Sequence, residues 1–174
     1  MILETNRTIL RPFTLSDAAD LFSYAQDPRV GLSAGWTPHK TIEDSRNAIR
    51  TFFSSPVFFA VEDRESGHVI GSAGFVGPPS ETTDELGFAL NPAFWGRGIM
   101  PEAVRELLRY GFGRLGLETV WSICFAENRR CRRVLEKCGF MFMFQENLTG
   151  RVARDICFYM LLYQDWERRE NGNG

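Results

Sequence analysis

The sequence predicts one α/β (α+β) domain with a mixed sheet of about seven strands and flanking helices. Three observations carry this expectation. The chain has 174 residues, the usual size of one domain. At that length roughly 70% of the unfolded surface is buried. Its apolar fraction is 44%, with 15 Phe and 4 Trp, which suits a packed core rather than a disordered chain. Strand-like and helix-like periodicities follow in the order β-α-α-β-β-β-α-β-α-β-β, which is not the strict alternation of a doubly wound sheet.

The elements read in order as follows. Residues 7–13 form a strand, and Ser16-Asp17 starts a helix carrying Ala18, Ala19, Leu21, Phe22 and Ala25 at helical spacing. Asp27-Pro28 ends it. Residues 29–41 hold Gly31, Gly35 and Pro38 and read as loop, and a second helix runs over 42–53. Strands follow at 57–63, 69–76 and about 83–91, joined by hairpin chemistry at Glu65–His68 and a longer connection at Gly77–Ser80. A long helix starts at Pro101, whose missing N–H is no loss in a first turn, and stops at Gly116. Residues 119–125 form a strand. Asn128 caps a short helix that Gly139 ends, and strands at about 140–147 and 152–163 close the domain. The domain is expected over 1–169, with 170–174 a frayed tail.

Composition excludes several classes. A net charge of -2 argues against general nucleic-acid binding. The first residues are too few and too charged for a signal peptide, and no apolar run approaches the roughly 18 residues that span a bilayer. A cytoplasmic protein without a membrane partner is the expectation. Cys124, Cys131, Cys138 and Cys157 form no CxxC pair, and His39 and His68 complete no zinc pattern, so no metal is expected. Cys131 and Cys138, seven residues apart on one helix, stand about 10.5 Å apart, too far for a disulfide.

The chemistry is concentrated in residues 85–101, E-L-G-F-A-L-N-P-A-F-W-G-R-G-I-M-P. A strand ends at Asn91-Pro92, and a loop with two glycines turns into a helix N-terminus. Glycines allow close backbone approach, and N–H groups with the helix dipole favour a phosphate; Arg97 adds a cation. An ordinary strand-to-helix turn is the other reading of the same pattern. The Gly-Lys-Ser/Thr of a Walker loop is absent, and Pro101 stands where a dinucleotide fingerprint needs glycine.

Three stretches together are specific: F-W-G-R-G-I-M-P-E-A-V-R-E-L-L-R-Y-G-F, then L-G-L-E-T-V-W, then E-N-R-R-C-R-R-V-L-E-K-C-G-F. With the opening I-L-E-T-N-R-T-I-L-R-P-F and D-P-R-V, they make residues 3–163 resemble the GNAT superfamily, and within it the RimJ/RimL-like ribosomal-protein N-acetyltransferases. The resemblance implies a single GNAT-like domain with a mostly antiparallel sheet, and acetyl-CoA as donor to a primary amine. The family's pyrophosphate loop, Q/R-x-x-G-x-G/A, falls on Trp95, Gly96, Arg97, Gly98, Ile99 and Met100, ahead of Pro101. Trp95 replaces the first polar residue, and Met100 replaces a small one, which would leave the last turn less open. The strand backbone of Phe88, Ala89 and Leu90 would pair with the pantetheine arm, and Asn128 matches an asparagine near it.

Acetyl transfer needs a neutral amine. At pH 7 deprotonation costs about 4.6 kcal/mol for a lysine and about 1.4 for an α-amino group, so an N-terminal amine asks less of the protein. Glu85 is the candidate base, or else a solvated strand residue; Asp84 alternates to the other face. The tyrosine that many GNAT enzymes use on the leaving thiolate is Leu135 here. The RimL-like branch offers a serine at the position of Cys131, which is either a proton donor or a small buried residue. Arg129, Arg130, Arg132 and Arg133 cluster at a helix N-terminal half, against its dipole. Trp36, in the loop with His39, is the candidate acceptor-site wall. The acceptor is a protein N-terminus or a small amine (antibiotic, polyamine or metabolite), and a homodimer is admitted. An idle cofactor-binding fold is the rival reading.

Overall fold

The computed structural model describes residues 1–76, 83–148 and 154–172. Among these are eight strands and six α-helices. The strands are β1 (Leu3–Glu4), β2 (Thr8–Arg11), β3 (Phe58–Asp63), β4 (Val69–Phe75), β5 (Thr83–Leu90), β6 (Thr119–Phe125), β7 (Met141–Leu148) and β8 (Arg154–Leu162). The helices are α1 (Ala18–Ala25), α2 (Pro28–Ala34), α3 (Ile42–Thr51), α4 (Ile99–Tyr110), α5 (Arg129–Lys137) and α6 (Tyr163–Gly172). The strand order is β1-β2-β3-β4-β5-β6-β8-β7, and the fold is α/β with a mixed, mostly antiparallel sheet, as expected. No described helix is long and apolar enough to cross a membrane.

Three elements escaped the sequence reading. β1 has two residues, too few for a pattern, yet pairs Leu3 with Leu10. Residues 29–41, expected as loop, hold α2. Its start is local chemistry: Asp27 accepts from the Arg29 N–H at 2.8 Å, and Pro28 occupies the first turn. Gly35 closes it at φ 83. α6 follows β8 directly and includes residues 170–172 as its last. Helix α4 starts at Ile99, two residues before Pro101, which still sits in the first turn where an N–H has no partner. The connection expected at Gly77–Ser80 lies outside the described residues.

The chain divides into two compact units, Met1–Val76 with Gly87–Leu107 and Gly77–Leu86 with Leu108–Gly174. In the first, α1, α2 and α3 bury Leu21, Tyr24, Val30 and Ile49 against Phe58 of β3 and Ala89 of β5, with Trp36 and Trp95 packed alongside. Each side chain of that size is worth about 1.5–3 kcal/mol when buried. The capping box of α3 joins Thr41 and Asp44: the Thr41 hydroxyl accepts from Asp44 N–H at 3.2 Å, and Asp44 accepts from Thr41 N–H at 2.9 Å.

In the second unit β6 is central. It pairs parallel with β5 through Thr83–Glu85 and Thr119–Trp121, and antiparallel with β8 from Thr119↔Leu162 to Phe125↔Ile156. Val120, Ser122 and Cys124 alternate inward, and Leu135 of α5 is fully buried. Phe112, Tyr163 and Trp166 form an aromatic cluster that holds α6, with ring centroids 5.2–5.9 Å apart.

Candidate active site

In the first unit, β5 leads through Asn91 into a tight turn and then α4. Asn91 Oδ1 accepts from Ala93 N–H at 3.0 Å, and the Trp95 indole N–H donates to the Leu90 carbonyl at 2.8 Å, fixing the exit of the strand. Gly96 and Gly98 both have left-handed backbones, at φ 77 and 76. A side chain at either would cost about 1–2 kcal/mol, the physical reason for glycine here. A Cβ on Gly96 would meet nothing within 4 Å, so the turn is open on that side. The Arg97 guanidinium lies over the Phe94 ring at 5.3 Å. The first-turn N–H groups of Ile99 and Met100 lack intrahelical acceptors. An open turn with two left-handed glycines, a nearby guanidinium and free helix N–H groups suits an anionic diphosphate.

Met100 does not narrow the turn, contrary to what its replacement of a small residue would suggest. Its side chain is 3% exposed and Ile99 is 5% exposed, so both point into the protein and leave the turn open. Phe88 is half-buried while Ala89 and Leu90 are buried, so what this segment offers a ligand is its backbone. β4 approaches it closely: a Cβ on Gly71 would stand 2.5 Å from the Ala89 carbonyl oxygen. Trp36 is half-buried just beyond α2, its indole N–H 3.5 Å from the Ala25 carbonyl, so it is a core-packed residue with a partly exposed face. His39 Nδ1 is 2.9 Å from the Ser45 hydroxyl, and burial lowers its pKa.

Two residues at this turn were missed as contributors. Arg7, in the link between β1 and β2, reaches the loop. Its Nη1 donates to the Arg97 carbonyl at 2.8 Å, its Nε donates to Glu102 at 2.7 Å, and its backbone N–H donates to the other Glu102 oxygen at 2.9 Å. No spacing rule links positions 7, 97 and 102. Glu102 is partly buried, which alone would raise its pKa, but hydrogen bonds from Thr5 and Arg7 hold it below the ordinary value.

In the second unit, Glu85 is the last β5 residue paired with β6, opposite Trp121. It is half-buried, and burial first, then the neighbouring Asp84 carboxylate, raise its pKa. Asp84 is 5% exposed on the other face, as the alternation predicts. Just past the ladder, the Ser122 hydroxyl donates to the Leu86 carbonyl at 2.8 Å. Ser122, missed from sequence, stands out only as a polar residue at an inward position of T-V-W-S-I-C-F.

Asn128 caps α5: its Oδ1 accepts from Cys131 N–H at 3.1 Å. The Cys131 thiol is hydrogen-bonded to Cys124 of β6; the bond and burial both raise Cys131, whereas at Cys124 the bond lowers the pKa against the opposing effect of burial. Cys131 therefore keeps its proton, but directs it at a neighbouring sulfur. Of the arginine cluster, Arg132 is engaged, its Nε donating to the Tyr159 hydroxyl at 3.0 Å. The four cysteines are free thiols, and no described group of three or more His, Cys, Asp or Glu residues could hold a metal.

Comparison with known proteins gives this geometry a context. Residues 7–141 match the family described as acetyltransferase (GNAT) domain. The N-acetyltransferase YoaA of Bacillus subtilis is 30% identical over 145 residues, 80% of this chain and 82% of YoaA. YdaF of the same organism, named as a candidate ribosomal N-acetyltransferase, is 33% identical over 87 residues, 48% of this chain and 47% of YdaF. A GNAT-family acetyltransferase from Bacillus anthracis superposes with TM-score 0.86 at 26% identity, covering 94% of this chain and 99% of that one. The GNAT enzymes take acetyl-CoA as cosubstrate and an amine as acceptor. With three quarters of its length in the family match and a relative 30% identical over about four fifths of each chain, the chain is an acyltransferase and belongs to the GNAT acetyltransferase family.

Proposed function

We propose that this acyltransferase belongs to the RimJ/RimL-like branch and moves the acetyl group of acetyl-CoA directly to the α-amine of a protein N-terminus. The observation that carries the donor half is the open turn at Gly96 and Gly98 ahead of α4. In this reading Trp95 to Pro101 hold the diphosphate, the backbone of Phe88, Ala89 and Leu90 pairs with the pantetheine arm, and Asn128 lies near it. Trp36 borders the acceptor.

Glu85 is the proposed base. The amine must lose a proton to attack the thioester carbonyl, and a half-buried carboxylate with a raised pKa is a better proton acceptor than a solvated one. One raised carboxylate suits an α-ammonium, whose deprotonation costs about 3 kcal/mol less than that of a lysine. The kinship with YdaF, named as a candidate ribosomal N-acetyltransferase, supports a protein acceptor. As the C–S bond breaks, the coenzyme A thiolate takes a proton, and Cys131 is the proposed donor. It is protonated, as a donor must be, but its raised pKa makes it a weak acid. The free thiols support a reducing, cytoplasmic setting.

The test is thiol release from acetyl-CoA with a panel of N-terminal peptides, polyamines and aminoglycosides. The proposal expects the highest kcat/KM on peptides carrying a free α-amine, abolished by blocking that amine. Turnover confined to polyamines or aminoglycosides refutes the acceptor assignment while leaving the donor site intact. Coenzyme A binding without release on any amine refutes both Glu85 and Cys131 as catalytic groups.

A further inference from the structure

We infer that Arg7 is a positioning residue for the cofactor turn, acting through Arg97 and Glu102 rather than by touching the acyl donor's reacting atoms. The inference rests on the reading that Trp95 to Pro101 hold the diphosphate of acetyl-CoA.

Arg7 is itself fixed. It sits between β1 and β2, its carbonyl accepts from Arg64 N–H at 2.9 Å, and its N–H is engaged by Glu102. From there the guanidinium uses two edges. Nη1 donates to the Arg97 carbonyl at 2.8 Å, while Nε and Nη2 meet one Glu102 oxygen at 2.7 and 2.6 Å. Both Glu102 oxygens are therefore engaged by the same residue. The Glu102 N–H in turn faces the Gly98 carbonyl at 3.4 Å, and Arg7 Nη2 lies 3.6 Å from where a Gly98 Cβ would be. The one side chain thus holds the turn at Arg97, borders Gly98 and pins the first turn of α4.

The consequence is twofold. With its carbonyl held by Arg7, the Arg97 peptide cannot flip, which keeps the left-handed glycines on either side of it in the conformation that opens the turn. Without Arg7 the Glu102 carboxylate would keep its hydrogen bond with Thr5 but lose the Arg7 cation, and in the first turn of α4 its charge competes with a bound anion for the helix dipole. Arg7 neutralises it. A guanidinium is required because a carbonyl and a carboxylate must be bridged at once, which a lysine ammonium does not do in a planar fork.

The experiment compares the full-length wild type with Arg7→Ala, Arg7→Gln and Arg7→Lys. Coenzyme A affinity is measured by calorimetry, acetyl-CoA kinetics by thiol release, and folding by circular dichroism. Arg7→Ala is expected to raise the coenzyme A Kd and the acetyl-CoA KM on the order of tenfold, the loss of a charge-assisted hydrogen bond. The kcat and the acceptor KM stay near wild type. Arg7→Gln, which keeps a side-chain donor, carries the same expectation should Arg7→Ala not fold. Arg7→Lys stays severalfold weaker than wild type. Full rescue by lysine shows that charge alone matters and overturns the fork role. Equal coenzyme A affinity in folded Arg7→Ala and wild type overturns the inference outright. A wild type that binds no coenzyme A overturns the reading of the turn itself, a distinguishable result.

Discussion

The Gly71→Ala substitution probes whether the end of β5 belongs to the cofactor site. The added Cβ would stand 2.5 Å from the Ala89 carbonyl oxygen, 3.0 Å from Leu90 Cδ1 and 3.3 Å from Leu90 Cα. Ordinary contact begins at 3.4 Å, so the Ala89 carbonyl must move by 3.4 − 2.5 = 0.9 Å relative to β4. Two of the three obstacles are backbone, so no rotamer change relieves them. Overpacking of this kind costs about 1–3 kcal/mol of stability. A displacement near 1 Å in a group that positions substrate costs up to about 100-fold in rate. We therefore expect kcat/KM for acetyl-CoA to fall about 10–100-fold, with a weaker coenzyme A Kd by calorimetry. Gly74→Ala is the control: its Cβ would strike Phe58 Cα and the Val57 carbonyl, whereas the Gly71 Cβ strikes the backbone of Ala89 and Leu90 itself. It should lose stability similarly and bind coenzyme A normally when folded. If folded Gly71→Ala binds and turns over acetyl-CoA like wild type, the Phe88–Leu90 backbone is not part of the cofactor site.

Other expectations follow from single groups. Gly98→Ala keeps ordinary space, since the nearest atom is Arg7 Nη2 at 3.6 Å, so its cost is the left-handed backbone at φ 76 alone. That is about 1–2 kcal/mol, seen as a roughly 5–30-fold weaker coenzyme A Kd or an equivalent loss in denaturant unfolding. Glu85→Gln should cut kcat steeply and leave the coenzyme A Kd unchanged; retained turnover would remove Glu85 as base. Because burial raises the Glu85 pKa above its ordinary 4.5, wild-type kcat/KM should fall as pH drops through that raised value, and Glu85→Gln should lose this limb. The stability sign is opposite. Above the unfolded pKa the unfolded chain has released the proton that the folded protein still holds, so folding loses stability as pH rises through the raised pKa. Glu85→Gln should therefore be slightly more stable than wild type at neutral pH in urea titrations.

The strong local signals in the sequence were sufficient for most of the framework. Residues 119–125 match β6 because T-V-W-S-I-C-F is dense in β-formers, and Asn128 capping α5 and the glycines of the turn before α4 carried their own stereochemistry. What escaped was set by tertiary context. β1 is too short for a period to show. α2 contains Gly31 because the Trp36 indole crowds that position: a Cβ there would meet its Nε1 at 2.9 Å. α6 carries no start signal between Leu162 and Tyr163 and is held by the packing of its own Tyr163 and Trp166 on Phe112. The same limit applies to the site. Glu85 and Cys131 were visible as residue types at matching positions, but the Arg7–Arg97–Glu102 bridge joins positions more than 85 residues apart in the chain. The Ser122–Leu86 bond likewise depends on strand neighbours that no local pattern announces. The hydrogen bond between Cys131 and Cys124 also depends on packing, and it is what weakens Cys131 as an acid.

The proposed activity joins the turn at Gly96 and Gly98, as holder of the acetyl donor, to an amine acceptor. Its most direct test is acetyl-CoA turnover by the intact protein with an N-terminal peptide panel, followed by thiol release and by mass spectrometry of the acceptor. Acetylated α-amine is expected in one-to-one proportion with released thiol, both falling together in Gly98→Ala at subsaturating acetyl-CoA. Saturable coenzyme A binding with no amine acetylated would contradict it.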